Sequence, residues 1–137
     1  MKTWKKLYHF LGVALAFGPL AASAQTYTWT TVAGLAGNTG TNNGTGGSAR
    51  FTMPTGITVD SAGNVYVADN GNDLIRELTQ NGTNWNVTTI AGSVSPSLEM
   101  DGTGTSATFI SPNGITADSG NPPFCMWPTS TVRVKCR

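Results

Sequence analysis

Residues 49–79 read ARFTMPTGITVDSAGNVYVADNGNDLIRELT, and this stretch decides the fold. It contains three short runs with the character of strands: GITVD at 56–60, in which apolar and polar residues alternate, VYVAD at 65–69 and LIRELT at 74–79. Turn sequences rich in Gly and Asn separate these runs, and Asn81-Gly82 leads on to a fourth run, WNVTTIA at 85–91. Alternation predicts strands, and short turns predict that consecutive strands pair antiparallel.

The chain repeats itself with a period of 58 residues, since TTVAG at 30–34 returns as TTIAG at 88–92. At the same offset, further residues recur without a gap: Gly44 as Gly102, Gly46 as Gly104, Ala49 as Ala107, Phe51 as Phe109, Pro54 as Pro112, GIT at 56–58 as GIT at 114–116, and Asp60 as Asp118. Because Phe, Pro and Ile take part, biased composition does not explain the match. The sequence therefore predicts a repeat architecture.

Four short antiparallel strands per period describe one blade of a β-propeller. The stretch quoted above, followed by VTTIAG at 87–92, resembles an NHL repeat, a unit that builds six-bladed propellers. The resemblance covers about Trp29 to Asp118 and places Asp69 and Arg76 at signature positions. It implies that these two residues tie a turn to the adjacent strand, with ligand binding at the blade's rim as the alternative.

The predicted fold class is all-β, an incomplete propeller of about one and a half blades with four antiparallel strands per blade. The blade at 56–91 is complete, and a lone fourth strand, Tyr27 to Ala33, precedes it. In propellers such a terminal strand often completes the last blade and closes the ring. A ring of about six such repeats needs roughly 350 residues.

The first residues predict a secretory signal peptide. Lys2, Lys5 and Lys6 precede an apolar run at 7–20, and Ala22-Ser23-Ala24 forms an A-x-A cleavage site. We expect cleavage near Ala24 and a secreted or periplasmic protein with no stable membrane anchor after cleavage. An uncleaved N-terminal anchor is the alternative, but it calls for a longer apolar run. The predicted organisation is a signal peptide at 1–24, propeller repeats at 25–118 and a third segment at 119–137.

Removal of residues 1–24 leaves five basic and seven acidic residues and takes away His9, the one histidine. Without a basic patch we expect no nucleic-acid partner. Without histidine the mature chain cannot build a Ser-His-Asp site, a Cys-His site or a zinc site that uses imidazole. We predict no catalytic residues, no metal site and no cofactor.

The segment 119–137 reads SGNPPFCMWPTSTVRVKCR where the repeat calls for a strand like VYVAD. Read from the third base of the Phe124 codon, a shifted frame gives Leu, then Tyr or His, then Val and Ala. The next residue is Asp if Pro128 is encoded by CCG, so the shifted frame can read LYVAD. We interpret the segment as a frameshifted copy of the second blade, or else as a divergent C-terminus. Since Thr131-Val132-Arg133 resembles LIR in the written frame, a frameshift would need at least two lesions. Cys125 and Cys136 lie in this segment, and we interpret them as an accidental pair, with a disulfide as the alternative.

Three other motifs are weak. Residues 69–73 resemble the start of a calcium loop, but Leu74 and Gln80 stand where that loop needs Gly and Glu, so we predict a turn. The Gly-rich run at 44–48 lacks the Lys of a phosphate loop, and we predict an inter-blade loop. Glycosylation sequons at Asn43, Asn81 and Asn86 are expected by chance in a chain so rich in Asn and Thr.

These features favour a non-enzymatic binding module. Its partner would be a protein or another extracellular ligand bound on a propeller face. We also expect that the chain can associate with itself when it is produced alone. The alternative is a fragment of a propeller enzyme, a lyase or lactone hydrolase, with its active site in other blades. Such a site needs histidine or carboxylates that converge from several blades.

Overall fold

A computed structural model of the chain describes residues 26–117 and the backbone of residues 124–125 and 134–135. The predicted signal peptide and most of the segment 119–137 lie outside the described residues. The described part is all-β, with seven strands: β1 Gly44–Thr45, β2 Pro54–Val59, β3 Val65–Asp69, β4 Leu74–Asn81, β5 Asn84–Gly92, β6 Phe124–Cys125 and β7 Val134–Lys135. It contains no helix long and apolar enough to cross a membrane.

The four predicted strands of the blade are confirmed as β2, β3, β4 and β5, which pair antiparallel with their sequence neighbours. Their turns follow from the sequence. Gly63 and Gly82 adopt left-handed φ angles of 88° and 61° in the turns before β3 and β5. Glycine takes such angles without steric cost, so each turn reverses the chain tightly.

A fifth strand completes the sheet, and it was not predicted. β1 pairs with the outer edge of β5, where Gly44 lies opposite Val87 and Thr45 opposite Asn86. The strand order is therefore β1-β5-β4-β3-β2. The Gly-rich run that we predicted to be a loop thus also covers one edge of the blade.

The sheet has two apolar faces. On the first, which we call the closed face, Ala68, Ile75 and Ala91 pack against Ala107 and Phe109 of the second sequence copy. On the second, which we call the open face, the buried residues come from β3, β4, β5 and the segment before β2: Val67, Leu78, Val87 and Ala49. The closed face is therefore covered by the segment of the second copy that contains Ala107 and Phe109. The open face is covered by the equivalent segment of the first copy, which contains Ala49.

The period of 58 residues is confirmed in the backbone. Short 3₁₀ turns occur at Gly46–Ser48 and again at Gly104–Ser106. Met53 and Ser111, one period apart, are both left-handed, with φ angles of 47° and 53°. Non-glycine residues rarely adopt such angles, so their recurrence at equivalent positions shows that both copies follow one backbone path.

The predicted strand from Tyr27 to Ala33 is wrong for this structure, because residues 26–33 form no strand. Its equivalent one repeat later, β5, is held by hydrogen bonds to β4 on one side and β1 on the other. A strand exists only with a partner, and no described strand pairs with residues 26–33. Residues 114–116 likewise repeat the GIT of β2 but form no strand.

Strands β6 and β7 keep the repeat's register inside the segment 119–137. Phe124 lies opposite Lys135 and Cys125 opposite Val134. Subtracting 58 gives Tyr66 opposite Glu77 and Val67 opposite Arg76, the register of β3 with β4. The pairing of β6 with β7 thus repeats the register of the two middle strands of the first blade. The frameshift interpretation stays a prediction, as does the Cys125–Cys136 pairing, since Cys136 lies outside the described residues.

Candidate functional site

The signature residues Asp69 and Arg76 form an ion pair inside the blade. Asp69 ends β3, and Arg76 lies on β4. The Arg76 Nη1 donates to Asp69 Oδ2 at 3.0 Å, and both side chains are fully buried. Charges buried in this way need hydrogen bonds at their remaining positions, because the lost hydration is not otherwise replaced.

The carboxylate of Asp69 accepts further hydrogen bonds from two directions. The backbone N–H of Thr52 donates to Oδ1 at 2.7 Å, and the Asn72 amide donates to Oδ2 at 2.7 Å. Thr52 lies just before β2, and Asn72 lies in the 3₁₀ turn between β3 and β4. The single carboxylate therefore fixes both the turn and the segment that leads into the blade.

The guanidinium of Arg76 reaches a different part of the chain, the loop before β2. Its Nη1 donates to the Arg50 carbonyl, and its Nη2 donates to the Asn42 carbonyl, each at 3.0 Å. Nη2 also donates to Asn43 Oδ1 at 2.9 Å. The charge lies 5.2 Å from the centre of the Phe51 ring. Its Nε is the one buried side-chain nitrogen or oxygen without a partner among the described residues.

The predicted structural tie between the turn and the strand is confirmed, and the pair does more than predicted. It also holds the loop at 42–52 against the sheet. Sequence reasoning missed the loop contacts because Asn43 lies 33 residues from Arg76 and no local pattern marks it. In the second copy, the equivalent positions hold Trp127 and Val134, so that copy lacks the pair.

A second polar cluster lies on the face of the sheet opposite Arg76. The Tyr66 hydroxyl lies 3.0 Å from Asp60 Oδ2 and 3.1 Å from Glu77 Oε1. Burial and the two carboxylates raise the pKa of Tyr66. Burial also opposes ionisation of Asp60, but hydrogen bonds from Asn64, Tyr66 and Ala62 outweigh it and lower the pKa of Asp60. At neutral pH the phenol therefore keeps its single proton, which the oxygens of Asp60 and Glu77 share.

The open face carries an apolar groove of about 350 Å³, lined by Val32, Ala33, Phe51, Pro54, Thr55, Gly56, Ile57, Val67 and Leu78. No lining residue is charged. Ile57 is 70% exposed, and Val59 beside it is also exposed. Ile115, the equivalent of Ile57 one repeat later, is half-buried against the closed face. Within the described part of the chain, no sheet face buries Ile57 in the way that the closed face buries Ile115.

No group of three or more His, Cys, Asp or Glu residues in the described part of the chain could hold a metal ion. Of the predicted sequons, Asn43 is held by Arg76, and Thr89 also donates to it. Asn81 and Asn86 line a polar depression of about 580 Å³ at the end of the β4–β5 hairpin, with Thr45, Thr79 and Asn84. These amides and hydroxyls carry no charge.

The NHL repeat family matches residues 51–77, a range that runs from the loop before β2 into β4. The chain carries an NHL repeat. The matched residues include both Asp69 and Arg76, so the ion pair belongs to the NHL repeat itself. Comparison with curated proteins found no significant match.

A similar solved structure is that of a structural genomics protein of unknown function from Bacteroides thetaiotaomicron. The two sequences are 32% identical, and the TM-score is 0.61. The similarity covers 69% of this chain and 23% of that protein. This chain therefore spans less than a quarter of the length of that protein. The all-β sheet of this chain is an incomplete propeller-type structure.

Proposed function

We propose that this NHL chain is an exported, non-enzymatic interaction scaffold that binds a partner through its open face. The observation that carries the proposal is the exposed groove around Ile57, which is apolar and lined by no charged residue. Exposed apolar surface of this kind marks binding surfaces on soluble proteins. The partner surface would be apolar too, because it must replace the water on Ile57, Val59 and Phe51.

The placement of the ionisable groups supports a role without catalysis. Asp69 and Arg76 are fully buried, and their contacts are internal to the blade, so neither can touch a bound molecule. Tyr66 is buried between Asp60 and Glu77 and keeps its proton at neutral pH. The groove is lined by methyl groups, rings, backbone and the Thr55 hydroxyl, which donates to the Pro112 carbonyl. These groups supply contact area and no acid–base chemistry.

The binding part of the proposal is tested with anilinonaphthalene sulfonate, a dye whose fluorescence rises on apolar surfaces. Dilute chain should enhance the dye's fluorescence, and Ile57→Asp should abolish most of the enhancement. Val94→Asp is the matched control, since Val94 is exposed but does not line the groove. Equal fluorescence from the Ile57→Asp and Val94→Asp variants would contradict binding at this face.

The export part is tested separately, by expressing the full gene in a bacterial host and weighing the periplasmic product by mass spectrometry. Cleavage after Ala24 predicts a product that begins at Gln25. Retention of the whole chain in the cytoplasm would overturn export and would leave the dye result unaffected.

A further inference from the structure

The chain contains four Asn-Gly dipeptides, at 43–44, 70–71, 81–82 and 113–114. In such a dipeptide the asparagine side chain can react with the main-chain nitrogen of the glycine, because glycine carries no side chain that hinders the approach. The reaction requires an unbound asparagine side chain, an unbound glycine N–H and a main chain that is free to rotate. The four dipeptides meet these conditions to different degrees.

The side chain of Asn43 is held by two hydrogen bonds. Its Oδ1 accepts from Arg76 Nη2 at 2.9 Å and from Thr89 Oγ1 at 3.2 Å. The main chain is held as well, since Gly44 lies in β1 opposite Val87. The Asn43 side chain therefore cannot turn towards the Gly44 nitrogen unless these contacts break.

At Asn70 both reacting groups are already bound. The Asn70 amide donates to the Pro112 carbonyl at 3.0 Å, and the Gly71 N–H donates to the Thr52 carbonyl at 2.8 Å. The main chain of Gly71 also packs so closely on Thr52 that a β-carbon added at Gly71 would lie 2.7 Å from the Thr52 methyl group. Neither reacting group is free to move.

The main chain at Asn113 is packed against the first copy of the repeat. The Asn113 carbonyl oxygen lies 3.2 Å from the Thr55 hydroxyl. A β-carbon added at Gly56 would lie 2.6 Å from the same oxygen. Asn113 is exposed, but the rotation that brings its side chain onto the Gly114 nitrogen would displace this packed main chain.

Asn81 differs from the other three asparagines. It is the exposed last residue of β4, and its side chain makes no hydrogen bond within the described part of the chain. Gly82 follows in the hairpin turn, where its N–H donates to no described residue and open space surrounds its α-carbon. The pairing of Asn81 with Asn84, at the very end of the β4–β5 ladder, is all that has to open.

We propose that Asn81 is a site of spontaneous deamidation in the folded chain. The Gly82 nitrogen bonds to the side-chain carbonyl carbon of Asn81, and the bond from that carbon to Nδ2 breaks. The Gly82 N–H proton passes to the departing ammonia. Water then opens the resulting cyclic imide at either carbonyl and leaves aspartate or isoaspartate. The net change is the hydrolysis of one amide by water, with no transfer of electrons.

The product places a negative charge in a depression that is otherwise neutral. The depression is lined by Thr45, Thr79, Asn81, Asn84 and Asn86. Opening to isoaspartate also adds one carbon to the main chain at the tight turn that joins β4 to β5. None of these residues lines the open groove, so this inference goes beyond the proposed function and does not depend on it.

The triplets at 43–45 and 81–83 are both Asn-Gly-Thr, so Asn43 is an internal control for Asn81. The purified full chain is incubated at mildly alkaline pH and digested in acid, and mass spectrometry with fragment ions measures deamidation at each site. In the folded chain, Asn81 should react about tenfold or more faster than Asn43, whose hydrogen bonds must break first. In concentrated urea the two should react at equal rates, because their local sequences are the same.

Two glycine variants test whether the Gly82 nitrogen is the attacking group. Gly82→Ala should slow the reaction at Asn81 about tenfold, because a side chain hinders that nitrogen and restricts its main chain. Gly63→Ala, in the other tight turn with open space around it, should leave the rate at Asn81 unchanged.

Equal rates at Asn81 and Asn43 in the folded chain would overturn the inference. A rate at Asn70 or Asn113 that matches the rate at Asn81 would also overturn it, as would a rate at Asn81 that Gly82→Ala leaves unchanged.

Discussion

Trp29 and Val87 occupy the same position one repeat apart, and one is exposed while the other lies in the core. The contrast does not come from their immediate sequence, since both precede a TT(V/I)AG run. It comes from the strands beside them. β5 lies between β4 and β1, whereas no described strand pairs with residues 28–33. The same position of the repeat is therefore buried at Val87, where strands lie on both sides, and exposed at Trp29, where none does.

Loss of the Asp69 carboxylate should destabilise the blade strongly. In Asp69→Ala, the Arg76 charge stays buried without its counter-ion, and the Thr52 N–H loses its acceptor. Removing one partner of a buried ion pair typically costs about 3–5 kcal/mol. Urea unfolding followed by circular dichroism measures the loss. Asp101→Ala, at an exposed position, should change the free energy of unfolding by no more than about 0.5 kcal/mol. Similar values for the two variants would contradict a structural role for the pair.

Gly92 and Gly63 should respond differently to replacement by alanine, although both have left-handed φ angles, 96° and 88°. The new methyl group at position 92 would collide with the Asp73 carbonyl oxygen and press on Leu74 and Phe109, while at position 63 it meets open space. Gly63→Ala should cost about 1–2 kcal/mol, the price of the φ angle alone. Gly92→Ala should cost clearly more. Equal thermal unfolding midpoints for Gly63→Ala and Gly92→Ala would contradict this, since they would mean that the backbone at Gly92 shifts without loss of stability.

Tyr66 should make the stability fall at alkaline pH. The folded chain raises the pKa of this phenol, so the stabilisation is fully present below its unfolded value of about 10 and is lost as the pH rises above that value. Tyr66→Phe should remove that part of the decline in the unfolding free energy. Tyr27→Phe serves as a control because Tyr27 is exposed. An unchanged alkaline decline in Tyr66→Phe would mean that other groups cause it.

Much of the fold could be predicted from the sequence because its signals are local. Short strand-like runs between Gly- and Asn-containing turns predicted β2 to β5, and recurrence of residues such as Phe51 and Phe109 predicted the period. β1 was missed because Gly and Thr at 44–45 have no strand pattern and pair only where the fold brings them beside Val87. The strand predicted from Tyr27 to Ala33 failed for a related reason. Its sequence is that of a strand, but pairing is a property of the neighbours.

The candidate site was predictable in part. The resemblance to NHL repeats pointed to Asp69 and Arg76, and the structure confirms that they tie the turn to the strand. The sequence could not reveal their contacts with Thr52 and Asn43, which lie 17 and 33 residues away from their respective partners. The open groove was equally hidden, because Ile57 and Ile115 have the same local sequence and differ only in what covers them.

The most direct test of the account compares apolar binding at the open face with binding elsewhere on the surface. Titrated with anilinonaphthalene sulfonate, the parent chain and Val94→Asp should give the same rise in fluorescence, whereas Ile57→Asp should lose most of it. Equal fluorescence from all three proteins would contradict binding at the groove.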